Sequence, residues 1–311
     1  MLLARLRSVS MITVPATFAA MIGARCGDAG RDWIAALPEL VERYRTEWSL
    51  EIDGAALHGY VALVVPVRRA DGMPAMLKLS QVDDEKLDES LALRVWAGDG
   101  AVSLLTESAG HDVLLLEKLD PHRSLRTEPI DAALSFAGGL LRRLAVPAPA
   151  GLRVRLGQVA RAMLDVLPRR WQRLGRPFPR ELLDHVLAEC ADLGPRADTL
   201  LVNADLHFEN VLAARREPWL AIDPTVLEGD LEYGALALLW NRFDEITDGH
   251  GVRERLAAII AAADLDPDLA RRWTLVRTVS EWLWTLDVDP SGGPDVCAAI
   301  VAAIAPRLSA G

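Results

Sequence analysis

The chain is poor in cysteine. Three are present in 311 residues, Cys26, Cys190 and Cys297, with no CxxC pair among them. That excludes a disulfide framework and fits a reduced cytosol. Long apolar runs are also missing. No stretch of eighteen apolar residues occurs, so no membrane helix is expected. Residues 1–7 are basic and residues 9–22 fairly apolar, which mimics a signal peptide. Pro15 and scattered Ser and Thr interrupt that run, and no small-x-small cleavage site follows, so a cytoplasmic protein is expected. An excess of basic charge is absent as well: 34 Lys and Arg stand against 44 Asp and Glu, a net charge of −10. A nucleic-acid binder would need a basic stripe to neutralise phosphate, so that class is excluded. A small cationic partner, or solubility alone, accounts for the acidity. There is no internal repeat, no low-complexity tract and no G-x-x-x-x-G-K-[ST] phosphate loop.

What is present is ordinary globular composition, 51% hydrophobic and 25% charged, at a length that suits two lobes. Trp33, Ile34, Leu37, Leu40, Val41 and Tyr44 form a helical stripe over residues 31–48. From Leu50 the period changes. Residues 55–57, 60–67 and 75–79 read as strands, 83–96 as a helix and 113–119 as a final strand. Beyond Asp120-Pro121 the pattern turns mostly helical, over residues 131–144, 157–174, 180–193, 232–246, 253–263, 267–286 and 294–308. The expected organisation is α+β, with a small antiparallel-sheet lobe over residues 1–119 and a mostly helical lobe over residues 120–311.

One segment among those helices carries chemistry. Leu200-Leu201-Val202 leads to Asp205, Asn210 lies five residues on and precedes Val211-Leu212, and Asp223 lies thirteen further on, closing Trp219-Leu220-Ala221-Ile222. All three polar residues therefore stand at strand ends. The spacing suits phosphoryl transfer from ATP: one carboxylate to take the proton of an acceptor hydroxyl, and an amide oxygen with a second carboxylate to hold Mg²⁺. The bland alternative is a surface hairpin whose Asp and Asn only form turns. His207, two residues past Asp205, reads better as a packing or loop-bonding residue than as a chemical one.

A kinase site also needs a cation on the phosphates. Lys78, in the strand Ala75-Met76-Leu77-Lys78-Leu79, suits that role, with Glu89 on the next helix to fix it and Glu85 in reserve. No full G-x-G-x-x-G covers the phosphates. Gly59, between His58 and Tyr60, offers its backbone amide, although a plain hairpin turn explains it equally well. Glu117 and Leu119, at the lobe boundary, stand where backbone groups would meet an adenine.

These residues resemble the aminoglycoside phosphotransferases, in the branch of streptomycin 6-phosphotransferases and hydroxyurea phosphotransferases. The likeness is carried by Gly30-Arg-Asp-Trp-Ile-Ala-Ala-Leu-Pro38, Ala62-Leu-Val-Val-Pro-Val67, Ala92-Leu-Arg-Val-Trp96, Glu209-Asn-Val-Leu-Ala-Ala214 and Glu217-Pro-Trp-Leu-Ala-Ile-Asp-Pro224 with Gly229-Asp230. The resemblance implies a two-lobed protein-kinase-like fold using ATP and Mg²⁺. It assigns Asp205 as base, Asn210 and Asp223 as Mg²⁺ ligands, and Lys78 with Glu89 as the phosphate clamp. It implies transfer of the γ-phosphate to an aminoglycoside hydroxyl, with streptomycin at its 6-hydroxyl as the leading acceptor and antibiotic inactivation as the result. Hydroxyurea, another aminoglycoside or an amino sugar is the alternative acceptor, and a catalytically weak nucleotide-binding protein the alternative to an enzyme.

A guanidinium-bearing acceptor calls for carboxylates on the helical lobe. Asp230, Glu232, Asp244, Glu245, Glu281 and Asp287 are the candidates, with Trp240, Trp282 and Trp284 as stacking faces; Asp230 ranks first. Two departures from the family pattern stand out. Asn203-Ala204 precedes the catalytic aspartate, where a His or similar residue and then Gly or Trp is usual. After Tyr233 the family carries Asp-Leu, a carboxylate that ties down the catalytic loop, and this chain has Gly234-Ala235. The expectation is a loop held less firmly.

Overall fold

The computed structural model describes residues 12–81, 84–288 and 293–306, so the basic stretch 1–7 and residues 307–308 of the last expected helix lie outside them. The chain divides into two compact units, Met1–Ser90 with Ser103–Lys118, and Leu91–Val102 with Leu119–Gly311. Residues 91–102 thus belong with the second unit, although they precede the change from sheet to helix.

In the first unit α1 spans Ala16–Glu47 and is kinked at Gly27, whose φ of 60° and ψ of −137° leave helical space. Glycine tolerates that backbone because it has no Cβ. The expected stripe over 31–48 is the second half of this helix, and the run that mimicked a signal peptide overlaps only its start, residues 16–22. The strands β1 (Glu51–Ile52), β2 (Leu57–His58), β3 (Ala62–Arg68) and β4 (Pro74–Ser80) follow, then α2 (Asp84–Trp96), β5 (Leu104–Glu107) and β6 (Val113–Glu117). They pair antiparallel in the order β1-β3-β4-β6-β5, with β2 added to β3. Alternation along β4 sends Ala75, Leu77 and Leu79 into one core with Phe18, Ile22, Leu37 and Val41 of α1. Lys78 therefore projects from the other face of the sheet.

Where the chain re-enters the second unit, a short strand, β7 (Asp120–Ser124), precedes the first of its expected helices. The unit continues through α3 (Ile130–Leu144), β8 (Val146–Pro147), α4 (Leu156–Arg173), α5 (Arg180–Leu193), β9 (Leu200–Asn203), β10 (Val211–Ala213), β11 (Trp219–Ala221), β12 (Val226–Gly229), α6 (Ala235–Trp240), α7 (Gly249–Ala263), α8 (Pro267–Val288) and α9 (Pro294–Ile304). Two small antiparallel sheets, β11-β10-β7 and β12-β9-β8, sit among these helices. An antiparallel-sheet unit followed by a mostly helical one is the α+β, two-lobed class expected from the sequence.

The helix expected over 232–246 is broken. A 3₁₀ turn at Leu231–Gly234 leads into α6, which stops at Trp240, and Arg242 takes a left-handed conformation with φ of 53°. Tertiary bonds stabilise the break. The Asn241 side chain bonds the Asp205 loop, and Arg255 Nη1 donates to the carbonyls of Asn241 and Arg242 at 3.0 and 2.9 Å. Among the described residues no helix is long and apolar enough to cross a membrane.

Candidate active site

Two strand pairs build the Asp205 site. β9 runs antiparallel to β12 with Asn203 opposite Val226, and β10 runs antiparallel to β11 with Val211 opposite Ala221. The loop joining β9 to β10 carries Asp205 and Asn210, and the loop joining β11 to β12 carries Asp223. Both loops emerge at neighbouring strand ends, and two bonds stitch them together: Ala204 N–H donates to Thr225 O at 2.8 Å, and Ile222 N–H to Asn210 O at 2.8 Å. The three residues singled out by spacing thus belong to one cross-linked structure.

Within the first loop, Asp205 N–H donates to Asn203 Oδ1 at 3.0 Å. Asn210 Nδ2 donates to Asp205 O at 3.2 Å, which leaves Asn210 Oδ1 as the acceptor end of a side chain only 8% exposed. Asp223 holds a left-handed backbone with φ of 47°, a region that Asp enters more readily than most residues. An amide oxygen and a carboxylate are hard donors that suit Mg²⁺. Among the described residues no three His, Cys, Asp or Glu side chains gather as a metal site. A kinase Mg²⁺ needs no such cage, since water and substrate phosphates complete its shell.

His207 and Glu209 extend the loop network. His207 Nδ1 lies 3.0 Å from Glu209 Oε2, and His207 Nε2 lies 3.9 Å from Asp205 Oδ2. Glu209 also accepts from Asn241 Nδ2 at 2.8 Å and Arg126 Nη1 at 2.6 Å. The hydrogen bond from His207 holds the Glu209 carboxyl far below the usual range against its burial, with Asn241 and Arg126 adding to the effect. Burial pulls His207 down, but the Glu209 bond and the charges of Asp205, Glu209 and Asp223 outweigh it and raise the imidazole. The loop-bonding reading of His207 is the one this geometry favours.

A cavity of about 480 Å³ opens beside Asp205 in the second unit. Asp205, His207 and Glu209 form one wall, and α6 adds Trp240. Helix α8 supplies Arg277, Glu281 and Trp284, whose spacing of four and three residues puts them on one helical face. The structure therefore gathers Trp240, Glu281 and Trp284 from the substrate candidates around Asp205.

The other candidates stand elsewhere. Asp230, ranked first from sequence, is 6% exposed and both its oxygens are engaged, one by Asp198 N–H at 2.7 Å and one by the Trp273 indole N–H at 2.6 Å. It is a structural brace, and that corrects the expectation. Glu232 accepts from Asp266 N–H at 3.0 Å at the start of α8, and burial pushes its carboxyl up. Asp244 sits on the 3₁₀ turn Phe243–Glu245, outside the cavity lining, and Glu245 pairs with Arg242 at 2.6 Å. Asp287 bonds Arg173 and lies 3.7 Å from Arg170, and Trp282 packs on Phe178 with ring centroids 5.1 Å apart. For all of these but Asp244, a partner in the fold takes the side chain that spacing alone left open.

In the first unit, Lys78 Nζ bonds both oxygens of Glu89, at 2.6 and 2.7 Å, and both side chains are buried. Two charges leave water at a cost that only such close pairing offsets. The Glu85 side chain lies outside what the structure describes. Gly59 N–H donates to Ala62 O at 3.0 Å and closes the β2–β3 hairpin, so it is not a spare donor for phosphate. Glu117 N–H donates to Ser103 O at 2.9 Å while its Oε2 accepts from Ser103 N–H at 3.2 Å, so that amide is engaged as well. Leu119 is buried and begins the second unit's share of the chain.

Sequence reasoning missed Arg277 and Asn241 at this site. Arg277 is one of many arginines in helical patterns, and Asn241 was read as helix interior. No spacing signal points to either one.

The two-lobed α+β fold is kinase-like, and the family match and relatives that follow make the chain a small-molecule phosphotransferase. Residues 47–289 match the family model for aminoglycoside/hydroxyurea antibiotic resistance kinases, and the chain belongs to that family. A streptomycin 6-kinase of Streptomyces glaucescens is 40% identical over 298 residues, covering 94% of this chain and 96% of that protein. A hydroxyurea phosphotransferase of Kitasatospora aureofaciens is 42% identical over 265 residues, covering 84% and 76%. A choline kinase of Streptococcus pneumoniae shares the fold at a TM-score of 0.56 and 14% identity, covering 87% and 99%.

Proposed function

We propose that this chain transfers the γ-phosphoryl group of ATP to a hydroxyl of a cationic aminoglycoside, with streptomycin at its 6-hydroxyl as the leading acceptor. The observation that carries this reading is the lining of the cavity beside Asp205. Asp205 and Glu281 supply carboxylates, and Trp240 and Trp284 supply aromatic faces. Carboxylates bind guanidinium groups through paired charge-assisted hydrogen bonds, and indole faces attract the same cations. The reaction belongs in the cytoplasm, where ATP is supplied.

In this reading the first unit serves the nucleotide and the second serves catalysis and the acceptor. Asp205 orients the acceptor hydroxyl and takes its proton. Lys78, fixed by Glu89, neutralises phosphate oxygens. Asn210 and Asp223 would hold Mg²⁺, which supplies charge neutralisation on the phosphates when bound. Most of the acceleration comes from positioning and electrostatics, with proton transfer the smaller part.

Hydroxyurea phosphorylation is the second reading, favoured by the 42% identity to a hydroxyurea phosphotransferase. A molecule that small would fill little of a cavity of about 480 Å³. The test is ADP release with Mg-ATP over a panel of streptomycin, other aminoglycosides, an amino sugar and hydroxyurea. Streptomycin-dependent release with a 6-phosphorylated product is the expected result, and Asp205→Ala should lower kcat by about 10²-fold or more. Binding of Mg-ATP without turnover of any panel member would defeat the proposal.

A further inference from the structure

After Tyr233 the chain carries Gly234 in place of a side-chain carboxylate, and the space there is tight. A Cβ on Gly234 would lie 2.7 Å from Leu141 Cδ1 and 3.1 Å from Asn203 O. The backbone at Gly234 is pressed against the strand that leads into the catalytic loop, and a side chain would push the two apart. The loop is nevertheless held, by a cation on a different element.

Arg277 of α8 reaches it. Its Nη1 donates to Ala204 O at 2.7 Å and to Tyr233 O at 3.1 Å, and its guanidinium carbon stands 4.9 Å from the centroid of the Tyr233 ring. Ala204 O and Asp205 N–H belong to the same peptide group. The amide end of that group donates to Asn203 Oδ1 at 3.0 Å, and Arg277 holds the carbonyl end. The peptide plane that sets the direction of the Asp205 side chain is thereby fixed at both polar atoms. The same guanidinium nitrogen grips the carbonyl of the residue just before Gly234.

We propose that Arg277 is a positioning residue for phosphoryl transfer, acting by clamping the Ala204 carbonyl. The proposal rests on the reading of Asp205 as the base. Arginine suits the task in two ways. Its flat guanidinium stacks on Tyr233, and Nη1 lies one bond further from the backbone than a lysine ammonium would. A base displaced by about 1 Å loses much of its catalytic effect, about 10²-fold in unfavourable cases.

The test uses the full chain with Arg277→Lys and Arg277→Met, and the acceptor on which the wild-type protein releases ADP. Both variants should lose at least about tenfold in kcat, with the Lys variant the milder. KM for ATP should stay within about threefold. Hydrogen exchange in a peptide covering residues 203–210 should quicken in both variants while α3 and α7 exchange as before. Wild-type kcat in the Lys variant, or a loss confined to acceptor KM, would overturn the proposal. Failure of both variants to fold would overturn it too, by assigning Arg277 to stability. If the wild-type protein turns over no acceptor, the phosphotransferase reading fails, and the exchange measurement still decides whether Arg277 clamps the loop.

Discussion

Glu281 and Trp284 stand one turn apart on α8 and face the cavity beside Asp205. A buried carboxylate–guanidinium contact contributes a few kcal/mol, so Glu281→Gln should raise acceptor KM about tenfold or more. Trp284→Ala should act in the same direction, and KM for ATP should stay unchanged in both; steady-state kinetics at saturating second substrate checks this. The Glu209–His207 pair makes a pH prediction for the protein without Mg-ATP. Glu209 is lowered from an ordinary value of 4.5, so its stabilisation is present above that pH and fades as pH falls through its depressed folded value. His207 is raised from 6.5, so its stabilisation is present below that pH and fades as pH rises through its raised folded value. The melting-temperature gap between the wild-type protein and Glu209→Gln should therefore be widest between pH 4.5 and 6.5 and narrow on both sides. A gap constant from acid to alkaline pH contradicts the pairing. At this scale the grouping of Asp205, Asn210 and Asp223 and the pairing of Lys78 with Glu89 were legible, because the proposed roles ask for a spacing along the chain or a place on a strand. Asp230 misled because spacing does not reveal that an indole N–H and a backbone N–H already occupy its carboxylate.

Helices α3 and α7 meet at Gly138. A Cβ there would lie 2.5 Å from Ala262 Cβ, 3.0 Å from its carbonyl carbon and 3.2 Å from Ala263 N. Alanine gains about 1 kcal/mol of helix propensity over glycine, while forced overpacking costs about 1–3 kcal/mol. Two of the three contacts are backbone atoms that cannot swing aside, so the cost should win. Gly138→Ala is expected to lower the melting temperature by several degrees, and an unchanged or higher value in calorimetry would refute the close approach. Elements with a strong apolar period, such as α3, α5 and β4, were legible to within a residue or so. The strand β5 was not, because it is a short edge strand with little apolar alternation. The break after Trp240 was hidden as well, since Asn241 leaves the helix for hydrogen bonds to a loop more than thirty residues earlier.

Over the whole molecule the net charge of −10 sets a field that favours cations. With ATP saturating, kcat/KM for streptomycin should fall as KCl rises, because salt shortens the reach of that field from about 10 Å at 0.1 M to about 3 Å at 1 M. An uncharged acceptor should show no such slope, and equal slopes would remove any steering role for the acidity. The sequence by itself determined the α+β class and the sheet-then-helix order, which local periodicity encodes, and the family, which the segments that resemble it carry. Only the tertiary structure decided which carboxylates line the cavity beside Asp205, that Asp230 braces the interior, and that Arg277 bonds the Ala204 carbonyl. Those outcomes depend on which residues, remote in the chain, arrive within hydrogen-bond distance, and no local pattern carries that information.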